Sequence, residues 1–261
     1  MNIVVCVKYV PDATGDRRFE QDNTVDRVGV DGLLSELDEY AVEQALQIAE
    51  KNEGSEVTAL CIGPEKAADA VRKALQMGVH KGVHVLDDAI AGSDALATSL
   101  VIAEAVKKIG DADLVVCGMA STDGAMSVVP AMLAERLGLP QVTFAAMVEI
   151  QGDQIRIKRD GDAATEVIGA TLPVVLSVTD QTGEARYPSF KGIMAAKKKP
   201  FETWSLADLG VEAEKVGLSA SWSEVEDTTA RPPRTAGEIV TDEDGSGAKA
   251  LADFLVSKKF I

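Results

Sequence analysis

The sequence predicts an α/β fold: a doubly wound, mostly parallel sheet with helices on both faces, added antiparallel strands and an extended C-terminal arm. Three observations carry this. Strand-like and helix-like segments alternate through the first half of the chain. The strand segments there are continuous apolar runs rather than alternating ones, as befits strands buried on both faces. After Pro140 the helical spacing gives way to short strands separated by turn residues.

Asn2–Lys8 is a buried strand. Asp12–Val28, polar and rich in turn formers, is a long loop or hairpin after it. Ser35 with Asp38 three residues on has the pattern of a capping box, and Ala41, Val42, Ala45, Leu46 and Ala49 repeat at helical spacing up to a stop at Gly54. Glu56–Ile62 is the second strand, closed by Gly63. Pro64 opens the next helix and Gly78 ends it. Val83–Leu86 is a short strand. Ser93 or Asp94 caps a helix that runs to about Ile109, Leu114–Cys117 is a strand, and a helix covers roughly 125–137. Beyond Pro140, the segments Thr143–Ile150, Gln154–Lys158, Thr165–Ala170 and Pro173–Val178 read as strands. Gly152-Asp153 and Asp160-Gly161 between them are hairpin signals. An α/β domain is expected over residues 1–200. Residues 201–261 then form an arm packing on another subunit, with Trp204 and Trp222 as packing anchors and a final helix carrying Leu251, Phe254 and Leu255 on one face.

The bulk composition narrows the function classes. At 261 residues, with 46% hydrophobic and 26% charged residues, the chain can bury one large core, built from aliphatic side chains because only 4% is aromatic. No run approaches the ~20 apolar residues of a membrane span. The N-terminus enters a strand directly, without a basic leader. Cys6, Cys61 and Cys117 lie inside apolar runs, which fits buried thiols in a reducing cytoplasm rather than disulfides or zinc. A net charge of -16 argues against nucleic acid and anionic membrane as partners. His80 and His84 stand four apart but lack the carboxylate or thiol company of a metal site, and no nucleophile–base arrangement is present.

Two segments carry the functional signal. Gly118-Met119-Ala120-Ser121-Thr122-Asp123-Gly124-Ala125-Met126-Ser127 follows a buried strand and enters a helix. At the carboxyl end of a parallel strand, glycines and free helix N-terminal amides suit a phosphate, and Ser121, Thr122 and Ser127 add hydroxyls. The same pattern also describes a plain strand-to-helix turn, since neither a Walker lysine nor G-x-G-x-x-G is present. The second segment, Arg186 to Pro200, concentrates Arg186, Lys191, Lys197, Lys198 and Lys199 in an acidic chain and interleaves Tyr187, Phe190, Ile193 and Met194. Aromatic and Met side chains beside Pro188, Ser189 and Gly192 are how a partner surface anchors, although a helix start with a solvated Lys run looks alike.

Arg-Tyr-x-Ser-x-x-x-Ile-Met-x-Ala-Lys-Lys-Lys resembles the recognition loop of the beta subunit of electron transfer flavoprotein. The resemblance covers nearly the whole chain. It includes Ile3-Val4-Val5-Cys6-Val7-Lys8 with Val10-Pro11-Asp12, then Asp38-Glu39-Tyr40-Ala41-Val42-Glu43-Gln44-Ala45-Leu46, and Ala74-Leu75-Gln76-Met77-Gly78. Leu172-Pro173-Val174-Val175 and Arg234-Thr235-Ala236-Gly237 complete it.

The resemblance implies an electron carrier without catalytic residues. Paired with an alpha subunit that holds most of the FAD, it would take electrons from acyl-CoA and other flavin dehydrogenases and pass them to a membrane quinone oxidoreductase. It implies an AMP of structural role, held by Cys6, by Ser35, Glu36, Leu37 and Asp38, by Ile62, and by the loop from Gly118 through Val128 and Val129. It implies that Tyr187, Pro188, Ser189, Phe190, Lys191, Ile193 and Met194 meet the dehydrogenase. Ser35-Glu36-Leu37 departs from the Asn-Pro common in relatives, Met126-Ser127-Val128-Val129-Pro130 stands where many carry polar residues and a Gly, and Ala163-Ala164 replaces a Gly-Gly. A second FAD in place of AMP, as in electron-bifurcating relatives, therefore stays open. Two rival classes are a nucleotide-binding regulatory domain of the stress-protein type, which needs no recognition loop, and a nucleotide hydrolase or ligase, which needs a catalytic group.

Overall fold

The computed structural model describes every residue except 16, 233–236, 238 and 243, in two units, Met1–Glu226 and Asp227–Ile261. The strands are β1 (Asn2–Cys6), β2 (Tyr9–Pro11), β3 (Gly32–Leu34), β4 (Glu56–Ile62), β5 (Lys81–Val85), β6 (Leu114–Gly118), β7 (Gln141–Ala145), β8 (Met147–Gln151), β9 (Gln154–Asp160), β10 (Thr165–Thr171), β11 (Val174–Val178) and β12 (Phe201–Trp204). The α-helices are α1 (Glu36–Lys51), α2 (Ala68–Met77), α3 (Ala95–Ile109), α4 (Val129–Leu137), α5 (Phe190–Ala196), α6 (Leu206–Leu209) and α7 (Gly247–Ser257).

Seven strands form one all-parallel sheet in the order β12-β5-β4-β1-β6-β11-β7. Adjacent residues of each strand face opposite layers. Ile3 and Val5 of β1 join α1 and α2 in one apolar core, whereas Val4 joins α3, α4 and α6 in the other. Both faces are thus covered, which is why the strands read as continuous apolar runs. The strand order reverses between β1 and β6: the chain moves outward from β1 through β4 to β5, then returns to the other side of β1.

Several elements differ from the expectations. Thr143–Ile150 is two strands. Phe144 takes a positive φ of 59° and the Ala146 amide donates to Lys158, so the chain turns out of the parallel sheet after Ala145 and enters a separate antiparallel sheet, β10-β9-β8. Apolar continuity across the bend hides it from periodicity. The segment after Asp12 returns as a short hairpin, β2 with β3, and a single Phe19–Val25 bridge lies between. Ser35 occupies the N-cap of α1, but its hydroxyl makes no cap bond, so the expected capping box is absent there. One forms instead at α6, between Ser205 and Asp208.

The sheet also does not end before Pro200. β12 pairs with β5 as the outer strand, and Leu206, Leu209, Val211 and Val216 bury beneath it. Asp94, the N-cap of α3, accepts from the amides of Ala97, Trp222 and Ser223, so residues up to the end of this unit are fixed to it. The backbone of Trp222 is held while its ring is 88% exposed; Trp204 is half-buried with the Lys108 ammonium 5.1 Å from its ring centre. Of the Arg234-Thr235-Ala236-Gly237 motif, residues 234–236 lie outside the described residues. In the second unit, Leu251 and Phe254 of α7 are exposed and Leu255 is half-buried.

Truncation after Pro200 removes an edge strand and four buried apolar side chains, and is expected to cost the first unit its cooperative fold. Truncation after Glu226 is expected to leave it intact. Circular-dichroism melts of the two truncations check this; similar melting temperatures would show that residues 201–226 add nothing to the core.

Candidate functional site

The reversal between β1 and β6 sends the chain away in opposite directions after these two strands, which opens a crevice at their carboxyl ends. Cys6 and Ile62, the last residues of β1 and β4, stand half-buried on its floor, and Gly118 ends β6 beside them. Gly118 has no space for a side chain. A Cβ would come within 2.6 Å of Asp38 Oδ1 and 2.8 Å of the Leu37 carbonyl oxygen, so the start of α1 lies directly on the end of β6.

Asp38 is the junction. Buried in the first turn of α1, it accepts from the Lys8 amide at 2.8 Å, joining α1 to the residues that follow β1. Burial pushes its carboxyl up to about 7, against the opposing pull of that amide and of the Lys8 charge. Lys8 then reaches the loop after β6: its Nζ lies 2.9 Å from Asp123 Oδ1 and 3.4 Å from Ser121 Oγ. Asp123 also takes the Arg27 guanidinium at 2.6 Å. Burial alone would raise the Asp123 carboxyl, but the two cations outweigh it and hold it well below the ordinary range. Arg17 donates to the Thr122 carbonyl at 2.8 Å, so the segment between β2 and β3 is stitched to the same loop.

The loop from Met119 to Val128 fits a phosphate on three counts. Ala125 and Ser127 hold φ of 51° and 59°, a left-handed conformation that non-glycine residues adopt at a cost of about 1 kcal/mol each or more. Left-handed residues of this kind occur in the backbone nests that receive anions. Three cations, Lys8, Arg17 and Arg27, gather here on a chain of net charge -16, against the single carboxylate of Asp123 that Lys8 and Arg27 share. Finally, Ser35 Oγ is buried without a hydrogen-bond partner among the described residues, an orphaned donor at the start of α1. Ser35, Leu37, Asp38, Cys6, Ile62, Gly118 and Ser121 to Asp123 are thus brought together. Glu36, Gly124, Ala125 and Met126 are exposed, with Met119, Ala120, Ser127, Val128 and Val129 half-buried along the same loop. Lys8, Arg17 and Arg27 were not among the residues expected here. Lys8 directly after an apolar strand was a visible signal, but which carboxylate it meets depends on the fold.

The second segment lies elsewhere. It packs on α2 and on the later turns of α1, which run back toward the amino-terminal edge of the sheet. α5 begins at Phe190, with Ser189 as N-cap accepting from the Gly192 amide at 3.0 Å. Tyr187 is 92% and Phe190 82% exposed; Met194 and Ile193 are exposed beside them. Its charges are not all free. Arg186 is paired with Glu43 and Glu50, and Lys199 Nζ donates to the Leu75 and Val79 carbonyls at 2.8 and 2.6 Å at the end of α2. The basic ring expected around Phe190 therefore reduces to Lys191, Lys197 and Lys198. His80 and His84 have structural partners: His80 Nδ1 accepts from the Val57 amide, and His84 Nε2 lies 3.0 Å from the Gly63 carbonyl. No helix among the described residues is long and apolar enough to cross a membrane.

The raised Asp38 carboxyl gives a signed pH dependence. Between the ordinary carboxylate range and about 7 the folded state holds a proton that the unfolded chain has released, so this group's contribution falls as pH rises across that interval. Asp38→Asn is expected to gain on wild type by about 2 kcal/mol between pH 5 and pH 8. Denaturant melts of both proteins at the two pH values measure it, and a constant difference would mean that Asp38 is ionised throughout.

Comparison with known proteins bears on the family of the chain. The family model described as the electron transfer flavoprotein domain matches residues 22–209. The chain is 47% identical over 266 residues to the electron transfer flavoprotein subunit beta of Mycobacterium tuberculosis, covering 100% of this chain and 99% of that one. It is 30% identical over 264 residues to the subunit beta of Megasphaera elsdenii, covering 99% and 97%. It is 34% identical over 258 residues to the caffeyl-CoA reductase-Etf complex subunit CarD of Acetobacterium woodii, again covering 99% and 97%. With a family model over most of its length and these full-length relatives, the chain belongs to the electron transfer flavoprotein family, among its beta subunits.

Proposed function

We propose that this chain is the half of a heterodimeric electron carrier that docks reduced dehydrogenases and braces the assembly with a bound AMP. The observation that carries the docking role is the pair Tyr187 and Phe190, 92% and 82% exposed on a segment tied to the core on both sides. An apolar anchor ringed by Lys191, Lys197 and Lys198 is the anatomy of a transient hot spot. The donors are acyl-CoA and related flavin dehydrogenases, and electrons pass on to a membrane quinone oxidoreductase in a cytoplasmic fatty-acid oxidation system.

The AMP phosphate would sit on the amides of Ser121 to Ser127, its adenosine over Cys6 and Ile62 against Ser35, Leu37 and Asp38. When bound, AMP supplies no redox chemistry; it ties together loops that this chain alone holds through Asp38, Lys8 and Asp123. Lys8 is committed to Asp123, which leaves the phosphate to the backbone. FAD belongs mainly to the alpha subunit. The exposed Leu251 and Phe254 of α7, with Ile239 and Phe260 exposed in the same unit, supply apolar surface for that partner.

Two experiments test this reading. Stopped-flow reduction of the heterodimer's flavin by a reduced acyl-CoA dehydrogenase is expected to weaken about thirtyfold in apparent affinity for Phe190→Ala, from an anchor worth on the order of 2 kcal/mol. Folding and nucleotide content stay unchanged. Serine at Lys191, Lys197 and Lys198 is expected to lower mainly the association rate and its salt dependence. Equal rates for Phe190→Ala and wild type would remove this segment as the docking site.

For the nucleotide, the denatured heterodimer is expected to release one AMP and one FAD, and the isolated chain to carry little flavin. Gly124→Val is expected to lose AMP without unfolding, since a Cβ there meets only Ser121 Oγ at 3.4 Å and Lys8 Nζ at 4.0 Å. Two FAD and no AMP would assign the pocket to a second flavin.

A further inference from the structure

The docking segment is held by charge at its entry and its exit, and neither charge faces the partner. Arg186, its first residue, spreads a fork over two turns of α1. Nε and Nη2 reach Glu43 Oε2 and Oε1 at 2.6 and 3.0 Å, Nη1 and Nη2 reach Glu50 Oε1 and Oε2 at 2.5 and 3.2 Å, and the Arg186 amide adds a bond to Glu43 Oε2 at 3.1 Å. The Glu43 side chain is only 7% exposed and is itself braced by Gln47 at 2.9 Å. In the middle, Gly192 lets α5 touch α2, because a Cβ there would fall 2.5 Å from the Gln76 carbonyl oxygen. At the exit, half-buried Lys199 closes the end of α2 through the Leu75 and Val79 carbonyls.

Resting on the docking role proposed above, we infer that Arg186 is a positioning residue for electron uptake: its fork onto Glu43 and Glu50 pre-orders residues 187–198, so that Tyr187 and Phe190 meet the donor already in place. A short segment with two large exposed aromatic side chains would otherwise have to be ordered during docking, and each rotamer-rich side chain immobilised at an interface subtracts from the affinity. A bidentate Arg–carboxylate pair with one carboxylate buried fixes geometry as well as charge. Arg186 contributes no docking charge of its own, because two carboxylates already take its guanidinium. Its effect is therefore on the donor's affinity and not on the electron-transfer step.

The test uses the intact heterodimer. Arg186→Ala is expected to raise the apparent Kd for a reduced acyl-CoA dehydrogenase about tenfold, the loss of ordering for one or two side chains. The limiting rate of flavin reduction at saturating donor stays within about twofold, because nothing at the flavin changes. Hydrogen exchange is expected to quicken over 187–198 and to stay unchanged over 119–128. Arg186→Lys keeps a charge for Glu43 but loses the fork, and is expected to recover part of the affinity. Should Arg186→Ala fail to fold because Glu43 is left unpaired, Glu50→Gln removes only the outer half, at a glutamate 58% exposed, and is expected to move exchange and Kd in the same direction by less. Unchanged exchange over 187–198 in both Arg186→Ala and Glu50→Gln would overturn the inference, as would faster exchange with an unchanged Kd while Phe190→Ala still weakens docking. If Phe190→Ala and Arg186→Ala both leave the Kd unchanged, the docking role itself fails, and the inference fails with it.

Discussion

Asp38 is the constraint on which the crevice at the carboxyl ends of β1 and β6 depends. A parallel sheet whose strand order reverses must send two neighbouring strands into loops that part company, and the gap between them fills only if something bridges it. Here the bridge is one buried carboxylate. It brings the first turn of α1 onto the end of β6 and takes the Lys8 amide that follows β1. Lys8 carries the connection outward to Asp123 and Ser121, and Arg27 brings in the segment between β2 and β3. A carboxylate so desolvated resists ionisation, and it is tolerated because an amide and an ammonium face it.

The two candidate regions are served by different turns of α1. α1 begins at the crevice, where Asp38 belongs, and carries Glu43 and Glu50 one and three turns further on, where the segment from Arg186 is fastened. One helix thereby serves both regions through different side chains. Each region can be altered without touching the other, because the intervening residues of α1, Ala41, Val42 and Ala45, are plain core. Under the proposed function this separation would keep the surface that changes partners apart from the one that holds a ligand.

Patterning in the sequence made the parallel sheet legible because burial on both faces writes uninterrupted apolar runs such as Ile3-Val4-Val5 and Leu114-Val115-Val116. It also marked the loop after β6, because a glycine after such a run with a helix beyond it places that loop at the carboxyl end of a central strand. The bend at Phe144 was not legible: apolar residues continue through it, and only the positive φ and the change of hydrogen-bond partner mark it. β12 was missed for a related reason. An edge strand of four residues, with Glu202 and Thr203 exposed, has too little apolar periodicity to stand out beside a Lys run.

The Lys run shows most clearly what composition cannot resolve. Arg186 and the four lysines up to Lys199 look alike as a cluster of positive charge, yet two of the five are internal fasteners. What separates them is the availability of an acceptor. Glu43 and Glu50 lie seven residues apart, two turns along one face of α1, so a planar fork can take both oxygens of each carboxylate, a bidentate fit that an ammonium point charge lacks. Lys199 meets carbonyls at the end of α2 that have no further helical donor, and a flexible stem with three donors suits that task. The choice of Arg at the entry and Lys at the exit is therefore chemical: each cation matches the acceptor that the helix in front of it leaves open.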